Sequence, residues 1–139
     1  MATLFTRIID QELPAAFVWE DHRCVAFMAR DALHPGHLLV VPRQEVDHWS
    51  DAGDDLLAHL MSVARTLARA QRVAFPSERV ALLVVGLEVP HLHLHVAPID
   101  GMGDVDFARA RRDVPMDELL ANAETIKAAL PPAFGAPPV

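Results

Sequence analysis

With 139 residues, 52% of them hydrophobic and 22% charged, the chain has the size and composition of one globular domain with a core of its own. Its formal charge of −7 and pI near 5.5 exclude a nucleic-acid binder working through a broad basic surface. An anionic small molecule stays open, because a few local donors can hold a phosphate against an unfavourable overall field.

No run approaches the roughly 18 apolar residues of a membrane span. The first residues acquire charge at Arg7, Asp10 and Glu12 before the apolar stretch of a signal peptide could form. A soluble, cytoplasmic protein with no membrane partner is expected. The single cysteine, Cys24, excludes an internal disulfide and any cysteine-rich zinc site; opening an apolar run, it reads as a buried small side chain.

In chain order, the apolar runs at 15–21 and 24–30, parted by the charged "DHR", predict a two-stranded hairpin. "HPG" at 34–36 is a turn, and "HLLVVPR" at 37–43 a third strand closed by Pro42. After Trp49 the period changes. Leu56, Leu60, Val63 and Leu67 recur at three- and four-residue steps, predicting an amphipathic helix over about 53–73 with Asp51 as its N-cap. Residues 79–86 read as a buried strand, and "VPHLHLHVAPI" as a fifth after a tight link at Gly86–Glu88. Met116, Leu119, Leu120, Ala123, Ile126 and Leu130 space a second helix over about 115–130. The expected fold is α+β: one domain over 1–130 with a five-stranded antiparallel sheet and the helices against one side. A mobile Pro-rich tail over 131–139 is expected to follow it.

The chemistry concentrates at His91, His93 and His95. In a strand these alternate positions share one face, while Leu92, Leu94 and Val96 share the other and have a place against the long helix. Three imidazoles make a poor hydrophobic surface, and each buried nitrogen left without a partner costs about 1–3 kcal/mol. Two chemistries suit them. Imidazoles ligate zinc, but three successive positions span roughly 13–14 Å between outer Cα atoms, and no cysteine or carboxylate motif completes a metal site. Alternatively, one neutral imidazole attacks phosphorus while its neighbours bind the oxygens and supply a proton.

"HLHLHVAP" resembles the signature of the histidine-triad (HIT) family. "FTRIIDQELPAAFVWEDHRCVAFMA", "HPGHLLVVPR" and "GLEVPHLHLHVAPI" extend the similarity, in order, over residues 5 to about 99. The resemblance implies a nucleotide hydrolase or transferase that splits a bond to an α-phosphate through a covalent nucleotidyl-histidine. Its substrates would be a phosphoramidate, a dinucleoside polyphosphate or a nucleotide conjugate. It implies His93 as nucleophile, with its second ring nitrogen held by the His91 carbonyl. His95 and His37 would be on the α-phosphate and leaving group, and His91 would orient the site. Phe5, Ile8 and Phe27 match base-pocket positions, and Glu88 flanks the nucleotide. The usual assembly is a homodimer, and no cofactor or metal is expected.

The chain departs from the family pattern in three places. Ala29 stands where many relatives hold the ribose with an acid or amide. Leu87 stands where a polar residue usually precedes the triad. The upstream asparagine is missing, the only Asn being Asn122. These departures motivate one alternative, a nucleotide-binding regulatory protein with little catalysis; a second, a histidine-ligated metal protein, would use the same imidazoles. His22, His34, His48 and His59 match no functional position and are expected at the surface.

Overall fold

The computed structural model describes residues 2–131, so residues 132–139 of the expected tail lie outside the described part. The strands are β1 (Phe17–Glu20), β2 (Cys24–Met28), β3 (Leu38–Pro42), β4 (Arg79–Leu83) and β5 (Leu94–Ile99). They form one sheet in the order β1-β2-β3-β5-β4, with every pairing antiparallel. The helices are α1 (Leu4–Ile9), α2 (Asp54–Ala74) and α3 (Met116–Ala129). The fold is therefore α+β, as the element pattern predicts.

All five residues of β2 and all five of β3 are buried, because both faces of the central sheet are covered. On one face Cys24, Ala26, Met28, Leu38 and Val40 meet the α2 stripe of Leu56, Leu60, Val63 and Leu67 together with Leu119 and Ile126 of α3. On the other face Val25, Phe27, Leu39 and Val41 meet Phe5 and Ile8 of α1. The expectation of helices against one side is corrected here. The six-residue α1 lies on the opposite face, and it is too short to show a helical period in sequence.

Three boundaries also move. The N-cap of α2 is Gly53 with no side-chain cap, while Asp51 ends a 3-10 turn. β4 stops at Leu83. β5 begins only at Leu94. His91 and His93 therefore lie in irregular chain, where Pro90 offers no N–H to a ladder and Leu92 N–H instead donates to Val46 O at 2.7 Å.

Two polar clasps join the layers. Asp21, in the β1–β2 turn, accepts from Arg23 N (2.7 Å) and Cys24 N (2.8 Å) on one oxygen. Its other oxygen accepts from Trp19 Nε1 (2.8 Å) and His59 Nε2 of α2 (2.7 Å). His59 is thus a half-buried tie, not the surface residue expected. His34 is also half-buried and bonds Asp100 at 3.2 Å. Gln71, wholly buried on α2, donates to both Gly36 O and Val96 O at 2.8 Å, holding the turn before β3 to β5. Gly36 is required there: its φ is +91°, and a Cβ would come within 2.6 Å of the Phe75 ring.

Candidate active site

Four imidazoles converge where β3 and β5 run side by side. Leu39 pairs with His95 across the two strands, and His37 directly precedes β3. The His37 Nε2 to His95 Nδ1 distance is 3.1 Å. The His93 and His95 rings stand 4.8 Å apart, edge to face. Phe5 of α1 lies 4.8 Å from His93 and 5.8 Å from His91. The triad therefore lies on the α1 face although only His95 belongs to the strand.

The proton positions follow from partners that can play one role only. His93 Nδ1 lies 2.7 Å from the carbonyl of His91, which only accepts, so Nδ1 carries the hydrogen and Nε2 is bare. His37 Nδ1 accepts from Leu33 N–H at 3.0 Å. Neutral His37 then carries its hydrogen on Nε2 and donates to His95 Nδ1, which leaves the His95 hydrogen on Nε2. His91 donates from Nε2 to Pro42 O at 2.7 Å, with its Nδ1 2.6 Å from Thr3 Oγ1. The site thus offers a lone pair at His93 Nε2 beside a donor at His95 Nε2–H. Neither nitrogen has a hydrogen-bond partner among the described residues.

Burial disfavours the charged forms of His37, His95 and His93. His37 is pushed down to about 3 by burial, with the His95 and His93 charges adding to the effect. His95 is pushed down to about 4 by burial and by His93. His93 lies below its ordinary 6.5, chiefly through burial; the His91 carbonyl and the charge of Glu88 act the other way.

The structure brings Phe5, Ile8 and Phe27 together in one buried cluster, with Phe5 and Phe27 ring centroids 5.7 Å apart. Glu88 is exposed on the loop before the triad. Leu87, in the usual polar position, is 90% exposed, and Ala29 is buried at the end of β2. Asn122 lies on α3, where with Arg109 and Arg111 it lines a cavity of about 140 Å³ that touches His37 but neither His93 nor His95.

Several contributors escape a sequence reading. Phe107, from the segment after β5, sets its ring 4.9 Å from His95, and Glu45 accepts from Thr3 N at 3.1 Å. Only the spacing of Thr3 to Thr6, which suits an N-cap, gave a local signal.

The HIT domain family model matches residues 10–102, which span the sheet and the triad. An uncharacterised HIT-like protein of Methanocaldococcus jannaschii is 31% identical over 122 residues, covering 84% of this chain and 95% of its own. Among solved structures, a Hit-like protein of Bartonella henselae involved in cell-cycle regulation aligns with a TM-score of 0.80. It is 28% identical, over 92% of this chain and 96% of that one. A HIT family hydrolase of Legionella pneumophila is 33% identical with a TM-score of 0.61, over 69% and 91%. Sheet order, triad and these similarities agree, and the chain belongs to the HIT family.

Proposed function

We propose that the protein is a nucleotide hydrolase or nucleotidyltransferase working through a covalent nucleotidyl-His93. The observation that carries this reading is the pairing of a bare His93 Nε2, its tautomer held by the His91 carbonyl, with a neutral donor on His95 4.8 Å away ring to ring. The Nε2 lone pair forms the bond to the α-phosphorus while the bond to the leaving group breaks and its electrons depart with that group. His93 keeps its Nδ1 hydrogen, and the cationic ring is stabilised by the His91 carbonyl. The His95 Nε2–H, held by the His37 pair, bonds a phosphoryl oxygen as charge builds there.

A polyphosphate leaving group departs unprotonated. An amine takes a proton through His95, whose protonation an anionic substrate favours. Water or another acceptor then attacks phosphorus, and the N–P bond breaks. Phe5, Ile8 and Phe27 supply the apolar wall for the base, and Glu88 lies at the rim. The three-histidine metal alternative fits less well, since both nitrogens of His91 are engaged by Pro42 and Thr3.

The working assembly in this reading is a homodimer through β4. Its outer edge has no strand partner among the described residues, and Leu82, Val84, Val85 and Leu87 on and after it are exposed.

Intact-mass analysis after mixing with an adenosine phosphoramidate or a diadenosine polyphosphate tests the chemistry. An adduct of one nucleoside monophosphate is expected on the wild type and none on His93→Ala. Turnover persisting in that variant ends the assignment. Tight nucleotide binding without adduct or hydrolysis selects the regulatory alternative.

A further inference from the structure

His91 and His93 carry the tautomer argument, yet neither lies in a strand, so the sheet ladder does not hold the carbonyl between them. Two main-chain hydrogen bonds steady this stretch, His91 N to Val89 O at 2.8 Å and Leu92 N to Val46 O at 2.7 Å. Beside the buried Leu92 side chain, a further anchor is the His91 ring itself, wholly buried and gripped at both nitrogens. One grip is the Pro42 carbonyl. The other is a hydroxyl from the far amino-terminal end, Thr3 Oγ1, 88 residues away in sequence.

Thr3 is in turn held from several sides. Its Oγ1 accepts from Thr6 N at 3.1 Å and lies 3.2 Å from Thr6 Oγ1. Its backbone N–H donates to Glu45 Oε1 at 3.1 Å, and Thr6 Oγ1 donates to the same oxygen at 2.5 Å. The Thr6 hydroxyl bond and then the Thr3 backbone bond hold the Glu45 carboxyl below its ordinary range. The chain Glu45–Thr6–Thr3–His91 is therefore continuous. With His91 neutral, the Thr3 hydroxyl donates to Nδ1.

Resting on the nucleotidyl-His93 reading, we propose that Thr3, braced by Thr6 and Glu45, is a positioning residue for the triad: it locks the His91 ring and with it the main-chain carbonyl on which the His93 tautomer depends. The same short helix carries Phe5 against both rings, so the first turn of α1 acts as a bracket on the nucleophile. It touches no reacting atom.

The test uses Thr3→Ser, which keeps the hydroxyl, Thr3→Val, which removes it and the helix cap, and Thr3→Gly, which removes it while sparing most of the cap. Two readouts are taken: the rate of adduct formation, and the His93 tautomer by ¹⁵N–¹H NMR of histidine-labelled protein. Thr3→Ser is expected to retain the Nδ1–H signature and most of the rate. Thr3→Val and Thr3→Gly are expected to show a mixed His93 tautomer and adduct formation slowed about tenfold or more, with KM little changed, as misorientation of a reacting group does. An unmixed tautomer in Thr3→Gly overturns the proposal, whatever the rate. A tautomer that responds to Thr3 in a protein that never forms an adduct leaves the bracket standing and removes the nucleotidyl-transfer reading instead.

Discussion

At His93 a single proton decides the chemistry. An imidazole attacks phosphorus only through an unprotonated nitrogen, and burial lowers its affinity for a second proton below the ordinary 6.5. In the proposed reaction His93 is therefore already competent as a nucleophile in the neutral range. The acid limb of adduct formation against pH is expected below 6.5, measured by rapid-quench mass analysis; a limb at or above 6.5 contradicts the neutral, buried ring. Glu88 opposes the burial effect with its negative charge, so Glu88→Gln is expected to move that limb to still lower pH. The shift should be small because the carboxylate is solvent-screened. His95 and His37, pushed down to about 4 and about 3, act as neutral donors with fixed hydrogens rather than as resident cations. Negative charge from a bound substrate is what favours protonating them.

The candidate site is shaped by how elements are tied together. Gln71 reaches from α2 to Gly36 and Val96, setting the turn that presents His37 against the strand that presents His95. The Asp21 clasp fastens the β1–β2 hairpin to α2. Burial alone raises a carboxyl pKa, but here the hydrogen bonds from Trp19, the Arg23 and Cys24 backbone and His59 outweigh it and bring Asp21 down from 3.8 to about 2.

A depressed carboxylate pKa stabilises the fold above the unfolded value of 3.8, and that stabilisation is lost as pH falls from there through about 2. A shift of that size corresponds to roughly 2.5 kcal/mol. Asp21→Asn is expected to lower stability by roughly that amount at pH 7, with the two proteins converging as pH approaches 2; urea unfolding across pH reads it. An Asn variant as stable as the wild type at pH 7 removes the clasp from the account. The depressed histidines act earlier in the same descent. An unfolded chain takes up their protons from about 6.5 downward while the folded one does not, so acid destabilisation begins well above the Asp21 window.

For the whole molecule, the sheet is closed over on both faces but not at its β4 edge. An unpartnered edge strand with exposed apolar residues is a ready template for another chain. If two copies join there, Val84→Lys together with Leu82→Glu is expected to shift sedimentation from dimer to monomer. A wild type that sediments as a monomer at micromolar concentration defeats the assembly. No helix among the described residues is long and apolar enough to cross a membrane, and the exposed α2 and α3 faces carry charge.

Much of this was legible in the chain itself. The alternation of His91, Leu92, His93, Leu94 and His95 assigns leucines to the core and imidazoles to the opposite face, and Leu92 and Leu94 are indeed buried against α2. The strand–strand–strand–helix order, both long helices and the α+β class follow from local periodicity, which needs no knowledge of partners. Where local rules failed, the cause was tertiary. Six residues of α1 are too few to declare a period, Gly53 rather than Asp51 caps α2, and His59 is drawn inward by a carboxylate 38 residues away.

The sequence alone therefore determined the fold class and the set of imidazoles, because hydrophobic period and motif spacing are properties of neighbouring residues, and its resemblance to the HIT signature pointed to the family. Only the tertiary structure decided which nitrogens of His91 and His95 carry the hydrogen. Those choices rest on Pro42, Thr3 and His37, which reach their partners across 49, 88 and 58 residues. A hydrogen bond over such separations exists only once the sheet has closed and α1 has folded back upon it.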